Sequence, residues 1–268
     1  MRMERRPRGE FLLSAGMCTV TVIALRNGFR LVSNRDEQRS RPPALPPEWR
    51  EIPTPPSSTL RAVWPADRLR TGSPGGTWIA ASDRGLAMSL LNLNLTPPPV
   101  LPAALDSRGD IIPSLIHLGS AHAVAAAVHA MDLSRFAPFR LVAAEVPTPD
   151  SPPTIAEIRW DRRTVASAWH RAPACFASSG LGDELVQCRL PLFQEMFAQT
   201  PADDHLSVQD EFHAHVWPDR PHLSVLMTRA DARTVSTTSA TVTRDPWTGR
   251  ASVAMAYTPF AQARPESG

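Results

Sequence analysis

Apolar residues recur along the chain in short runs separated by turn-forming residues. The first run, 18–25, is apolar and β-branched, and a second at 29–32 follows across Asn27-Gly28. Two such runs around an Asn-Gly pair predict a β-hairpin, because those residues accept the positive φ angles of a two-residue turn. Residues 77–81 and 86–91 repeat the pattern across Asp83-Arg84-Gly85. Between the hairpins, 41–74 is rich in proline without a period and reads as a long ordered loop. Helices are predicted at 110–118 and at the alanine-rich 121–131. Strands follow at 139–146, 154–160 and 165–169. Leu185, Leu192, Met196 and Phe197 then share one side of a helix over 183–198. Three further strands, 223–228, 234–243 and 251–257, close the chain. This order predicts an α+β protein of layered, largely antiparallel sheets.

Length and charge narrow the picture. A chain of 268 residues buries one sizeable core, so one domain is expected. The chain has no lysine, and its arginines are interleaved with acids for a net charge of +2, so no basic face for nucleic acid is expected. Three cysteines without CxxC spacing point away from a disulfide framework or a zinc site, and towards a reducing cytoplasm. No apolar run approaches the ~20 residues of a membrane span. The first residues are basic and then briefly apolar at Phe11-Leu12-Leu13, too short for a secretory signal. Residues 1–17 are therefore read as a dispensable extension or an early-assigned start, 18–260 as the domain and 261–268 as a flexible tail.

Candidate chemistry begins at Cys18. If Met17 were the true start, its removal would leave Cys18 with a free α-amine beside its own thiol. An α-amine of pKa ~7.7–8.0 can take the thiol proton near neutrality, which an amide nitrogen cannot. The plainer reading is a buried structural cysteine in a strand. Asn34-Arg35-Asp36-Glu37 lies one hairpin away, so Arg35 or Asp36 can return beside Cys18. There a cation would lower the thiol pKa and a carboxylate would hold the amine. Read alone, those four polar residues are more often a solvated loop. His213, His215 and His222 lack acidic partners at ligand spacing, so no metal is expected.

Met17-Cys18-Thr19-Val20, Asn34-Arg35-Asp36-Glu37, Ser40-Arg41-Pro42, Gly75-Gly76-Thr77-Trp78 and Ser107-Arg108-Gly109 together resemble the NRDE family, the transport and Golgi organisation protein 2 homologues. That family is in turn similar to the choloylglycine hydrolase and penicillin V acylase group of N-terminal-nucleophile enzymes. The resemblance implies a four-layer αββα sandwich with antiparallel sheets and cleavage of a small non-peptide amide. It assigns Cys18 as nucleophile, Arg35 and Asp36 as its partners, Asn92 as oxyanion donor and Arg233 as a distal arginine. Asn34, Trp78 and Ser179 would touch substrate, although Ser178-Ser179-Gly180 stands where the family commonly has Ser-Asn-Ser. No cofactor is implied. Eukaryotic relatives are associated with haem handling and with Golgi and lipid homeostasis. An inactive haem or lipid carrier on the same fold is therefore the alternative.

Overall fold

A computed structural model describes residues 17–54, 58–68 and 75–260. The expected extension at 1–16 and tail at 261–268 lie outside the described residues. The first hairpin forms as read: β1 (Met17–Leu25) pairs antiparallel with β2 (Gly28–Gln38), and Asn27 takes φ 61° at the turn. Two more strands arise where a loop was expected, β3 (Leu45–Thr54) and β4 (Ser58–Ala66). Proline misleads here for a physical reason. β3 is the edge of its sheet, where a missing N–H costs no ladder bond, and its register shifts between Leu45 and Glu48, at the Pro46-Pro47 pair.

β5 (Ile79–Ser82) and β6 (Leu86–Asn92) make the second hairpin. A short helix α1 (Ile111–Leu115) and α2 (Ala121–Ala130) follow, the latter capped by the Ser120 hydroxyl accepting from the Ala123 N–H. β7 (Phe139–Glu145), β8 (Thr154–Trp160) and β9 (Val165–His170) run antiparallel. β10 (Ala174–Ser178) was not foreseen. The helical stretch at 183–198 becomes a 3-10 turn followed by α3 (Arg189–Ala198), and α4 (His205–Ala214) adds a helix that the sequence reading missed. The strand expected at 223–228 is instead a turn-rich segment before β11 (Ala232–Arg244) and β12 (Ala251–Pro259).

The strands form two antiparallel sheets, ordered β10-β1-β2-β11-β12 and β3-β4-β5-β6-β7-β8-β9. Strand alternation sorts the side chains into three apolar layers. Val20, Val22, Phe29 and Leu31 meet Ile79, Ala87, Leu91 and Val142 between the sheets. The alternate residues Ala80, Leu86, Met88 and Leu141 pack under Ile112, Leu115, Val124 and Val128 of α1 and α2. On the far side Ile23 packs with Phe193, Phe197 and Phe212 of α3 and α4. The result is the expected αββα sandwich, with helices outside both sheets.

Candidate active site

Cys18 sits near the start of β1, directly across from Arg35 on β2 and Ser178 on β10. Cross-strand partners share a face, and Cys18 packs in the layer between the sheets, so Arg35 and Ser178 project there too. Ser236 of β11 lies across from Arg35 and joins the same row. The next residue along points the other way. Asp36 stands across from Met17 and Thr234 and accepts a 2.5 Å hydrogen bond from the Thr234 hydroxyl. One strand thus presents a cation to one face and a carboxylate to the other, both at the sheet end where β1 begins.

The electrostatics follow from burial. Cys18 is 9% exposed, and burial pushes its thiol up to about 12; the Asp36 charge raises it further, while a hydrogen bond from the Asp36 backbone and the charge of Arg35 draw it down. Burial also lifts the Asp36 carboxyl to about 7, against the opposing pull of Arg189 and the Thr234 hydrogen bond. Its Oδ2 is buried with no hydrogen-bond partner among the described residues. Arg189 is fully buried and spends its donors on the Thr19 hydroxyl and the carbonyls of Leu223 and Ser224. It influences Asp36 through space, without a direct hydrogen bond to it.

Arg35 is held from three sides. Its guanidinium lies 4.3 Å from the centroid of the Trp78 ring, pairs with Asp67 at 2.6 Å and sits 3.6 Å from Glu37. Arg41 closes the square, contacting Glu37 at 2.9 Å and Asp67 at 2.7 Å. The Gly75-Gly76-Thr77-Trp78 segment explains how Asp67 reaches this place. The Gly75 N–H donates to the Asp67 carbonyl, the Asp67 N–H donates to the Gly76 carbonyl, and Thr77 donates to the Gly109 carbonyl. A Cβ at Gly76 would lie 2.4 Å from the Gly109 carbonyl carbon, so both glycines are needed for two backbones to cross. Three separated motifs therefore form one scaffold. They deliver Asp67 and Trp78 to Arg35, and they bring Arg108 close enough for Cys18 to influence its charge.

The other expected residues divide. Arg233 stands across from Glu37 and, with Arg35, Arg41 and Tyr257, lines a small cavity of about 40 Å³; it also donates to the Phe260 carbonyl. Asn34 faces the helices instead. Its amide donates to the carbonyls of His213 and Val225, and its oxygen accepts from Thr237, so it braces β2. Asn92 ends β6 across from Phe139, on the face that carries Leu86, Met88 and Leu90 towards α1 and α2. That face is turned away from the layer holding Cys18. Ser179 is buried in the turn after β10, its N–H donating to Asp183 and its hydroxyl accepting from the Leu181 N–H.

Sequence reading missed Asp67 and Arg189 and gave Ser178 no role of its own. Ser178 is fully buried beside Cys18, and its hydroxyl has no partner among the described residues; the same holds for the Trp78 indole N–H. No cluster of three or more His, Cys, Asp or Glu side chains with metal-binding geometry occurs among the described residues, and no helix among them is long and apolar enough to cross a membrane.

Residues 17–177 match the Transport and Golgi organisation 2 family. No curated protein matches the chain in sequence. Among solved structures, a variant of the conjugated bile acid hydrolase from Clostridium perfringens aligns at TM-score 0.49 and 7% identity, covering 91% of this chain and 97% of that one. A second variant of the same enzyme aligns at TM-score 0.48 and 8% identity, covering 94% and 100%.

Proposed function

The chain belongs to the Transport and Golgi organisation 2 family, and on that premise we propose that it is a cysteine amidohydrolase of small non-peptide amides, active once Cys18 is the first residue. The observation that carries this reading is the place of Met17. It stands across from Asp36, whose Oδ2 is buried and unpartnered among the described residues. Removing Met17 would put an ammonium where that oxygen has nothing to bind. A buried carboxylate lifted to about 7 is poised to accept such a cation.

With a peptide bond at its nitrogen, Cys18 is inert, because a thiol near 12 is almost wholly protonated at neutral pH. A free α-amine changes the chemistry. It takes the thiol proton, and sulfur adds to the substrate carbonyl while Arg35 and Arg108 stabilise the thiolate. The oxyanion draws hydrogen bonds from the Cys18 face, where the Ser178 hydroxyl and the Trp78 N–H have no partner among the described residues. The C–N bond then breaks, and the leaving amine takes the proton from the α-ammonium. Water adds to the thioester, gives a proton to the α-amine, and the C–S bond breaks to release the acid and restore the thiol. Arg233, which shares a small cavity with Arg35 and Arg41, would contact the substrate.

Mass spectrometry of the protein expressed from its native gene, with turnover of a library of N-acyl amides, tests this. A mature chain beginning at Cys18 that hydrolyses an amide, and loses that activity in Cys18→Ala, is the expected result. A mature chain that keeps residues upstream of Cys18 and turns over nothing overturns the proposal. Within an active enzyme, Ser178→Ala is expected to lower kcat about 10–100-fold, the scale of one oxyanion donor or somewhat less. Asn92→Ala should have the smaller effect, and the reverse order would return the donor role to Asn92.

A further inference from the structure

On the helix-facing side of β10, away from Cys18, lies a cavity of about 590 Å³ between that strand and α3. We propose that it binds a compact aromatic carboxylate, the ring lodged against Phe193 and Phe197 and the carboxylate paired with Arg171.

The size falls within the roughly 300–1,000 Å³ common for small-molecule sites. Charge gives the sign of the ligand. Arg171, His170 and His205 line the cavity, and no acidic residue among the described residues does. One of these, His170, is itself paired through Nε2 with Glu157 at 3.1 Å, and that carboxylate is also held by the Arg140 Nε at 2.8 Å. The Arg171 guanidinium makes no hydrogen bond or ion pair with any described residue. A forked, unspent guanidinium at the mouth of a cavity suits a carboxylate, which it can hold with two parallel hydrogen bonds.

The floor gives the shape. Phe193 and Phe197 lie with ring centroids 4.3 Å apart, and the His205 ring meets Phe197 edge-on at 5.0 Å. Offset and edge-to-face ring contacts favour an aromatic guest over an aliphatic one. Cys175 completes the wall. Burial pushes its thiol up to about 12, so it contributes a neutral, polarizable surface and not a nucleophile. The site is independent of the chemistry at Cys18, because Cys18 packs in the layer between the sheets, where Phe176 of the same strand also points, and neither residue lines the cavity.

Calorimetric titration of the full chain with 2-naphthoate tests the assignment, with 2-naphthalenemethanol as the uncharged comparator. One molecule per chain should bind. Arg171→Ala should weaken binding by about 10–100-fold, the value of a charge-assisted pair. Arg171→Lys should recover part of the loss, and Gln194→Trp, which fills the mouth, should abolish binding. Cys18→Ala should bind as the wild type does, which separates this site from the proposed hydrolase centre. Equal affinity for acid and alcohol, an unchanged Arg171→Ala, loss in Cys18→Ala instead, or no binding at millimolar ligand would each overturn it. Arg171 is exposed, so its variants keep the fold, and circular dichroism confirms that each titrated protein is native.

Discussion

Asp36 carries a charge whose cost depends on what lies across the strand from it. Burial holds its carboxyl near 7 against an ordinary 3.8, so the folded chain keeps a proton that the unfolded chain has already released between those values. Stability from this group is therefore highest at low pH and falls as pH rises from about 4 to about 7, where the full penalty is reached. Asp36→Asn removes the titration while still accepting from Thr234. Relative to that variant, the chain that retains Met17 should lose on the order of 2–4 kcal/mol between pH 4.5 and pH 8, measured by urea unfolding. In a chain beginning at Cys18 the difference should shrink, because an ammonium then meets the carboxylate. A difference that grows in the opposite direction would show that Asp36 is already paired. Arg35 and Asp36 were legible in the sequence as a polar cluster one hairpin from Cys18. That they face opposite ways is a consequence of strand alternation, and Ser178, although part of the Ser178-Ser179-Gly180 match, drew no role because the strand that turns it towards Cys18 was unforeseen.

At the scale of elements, what the sequence concealed is how separated motifs converge. The glycines at 75 and 76 and the one at 109 are ordinary turn residues when read singly, yet the two backbones touch. Gly76→Ala must push apart the Gly76 and Gly109 segments and is expected to destabilise the chain by roughly 2 kcal/mol or more in chemical denaturation. It should also raise KM or lower kcat of any amide turned over, since Asp67 and Trp78 would no longer frame Arg35. Asp67 itself was unreadable because the proline-rich stretch before it was read as coil, whereas an edge strand accepts those prolines. α4 was missed for another reason. Its residues alternate charge and apolarity too weakly to announce a helix, and its place is set by buried polar contacts, the His213 Nε2 lying 2.8 Å from the Thr21 hydroxyl and Gln209 donating to the same oxygen. Burial holds His213 neutral, down to about 3. Below its ordinary 6.5 the unfolded chain gains a proton that the folded chain refuses, so stability is lost as pH falls from 6.5 towards 3. His213→Gln should flatten that acid limb in a pH series of urea midpoints, and a limb of unchanged slope would assign the acid loss to other groups.

The sandwich as a whole decides what Cys18 can do. Its αββα layering was legible from the order of hairpins, helices and strands together with the family resemblance, since alternating apolar positions demand a partner on each face of a sheet. The same layering buries the thiol between two sheets, in the place where burial most suppresses ionisation. Reactivity there cannot come from exposure and has to come from a base or cation built into the site. Alkylation by iodoacetamide, read by peptide mass mapping to separate Cys18 from Cys175 and Cys188, measures this directly. In the chain that keeps Met17, Cys18 should be modified at pH 7.5 at least about 100-fold more slowly than a free cysteine of ordinary pKa. In the chain that begins at Cys18, the rate should rise sharply and follow the α-amine, levelling above a pKa that the Asp36 carboxylate raises from the ordinary ~8. Both chains share the same walls around the thiol, so equal rates would mean that access, and not a proton acceptor at the nitrogen, limits this cysteine. The centre would then have no base to offer an amide.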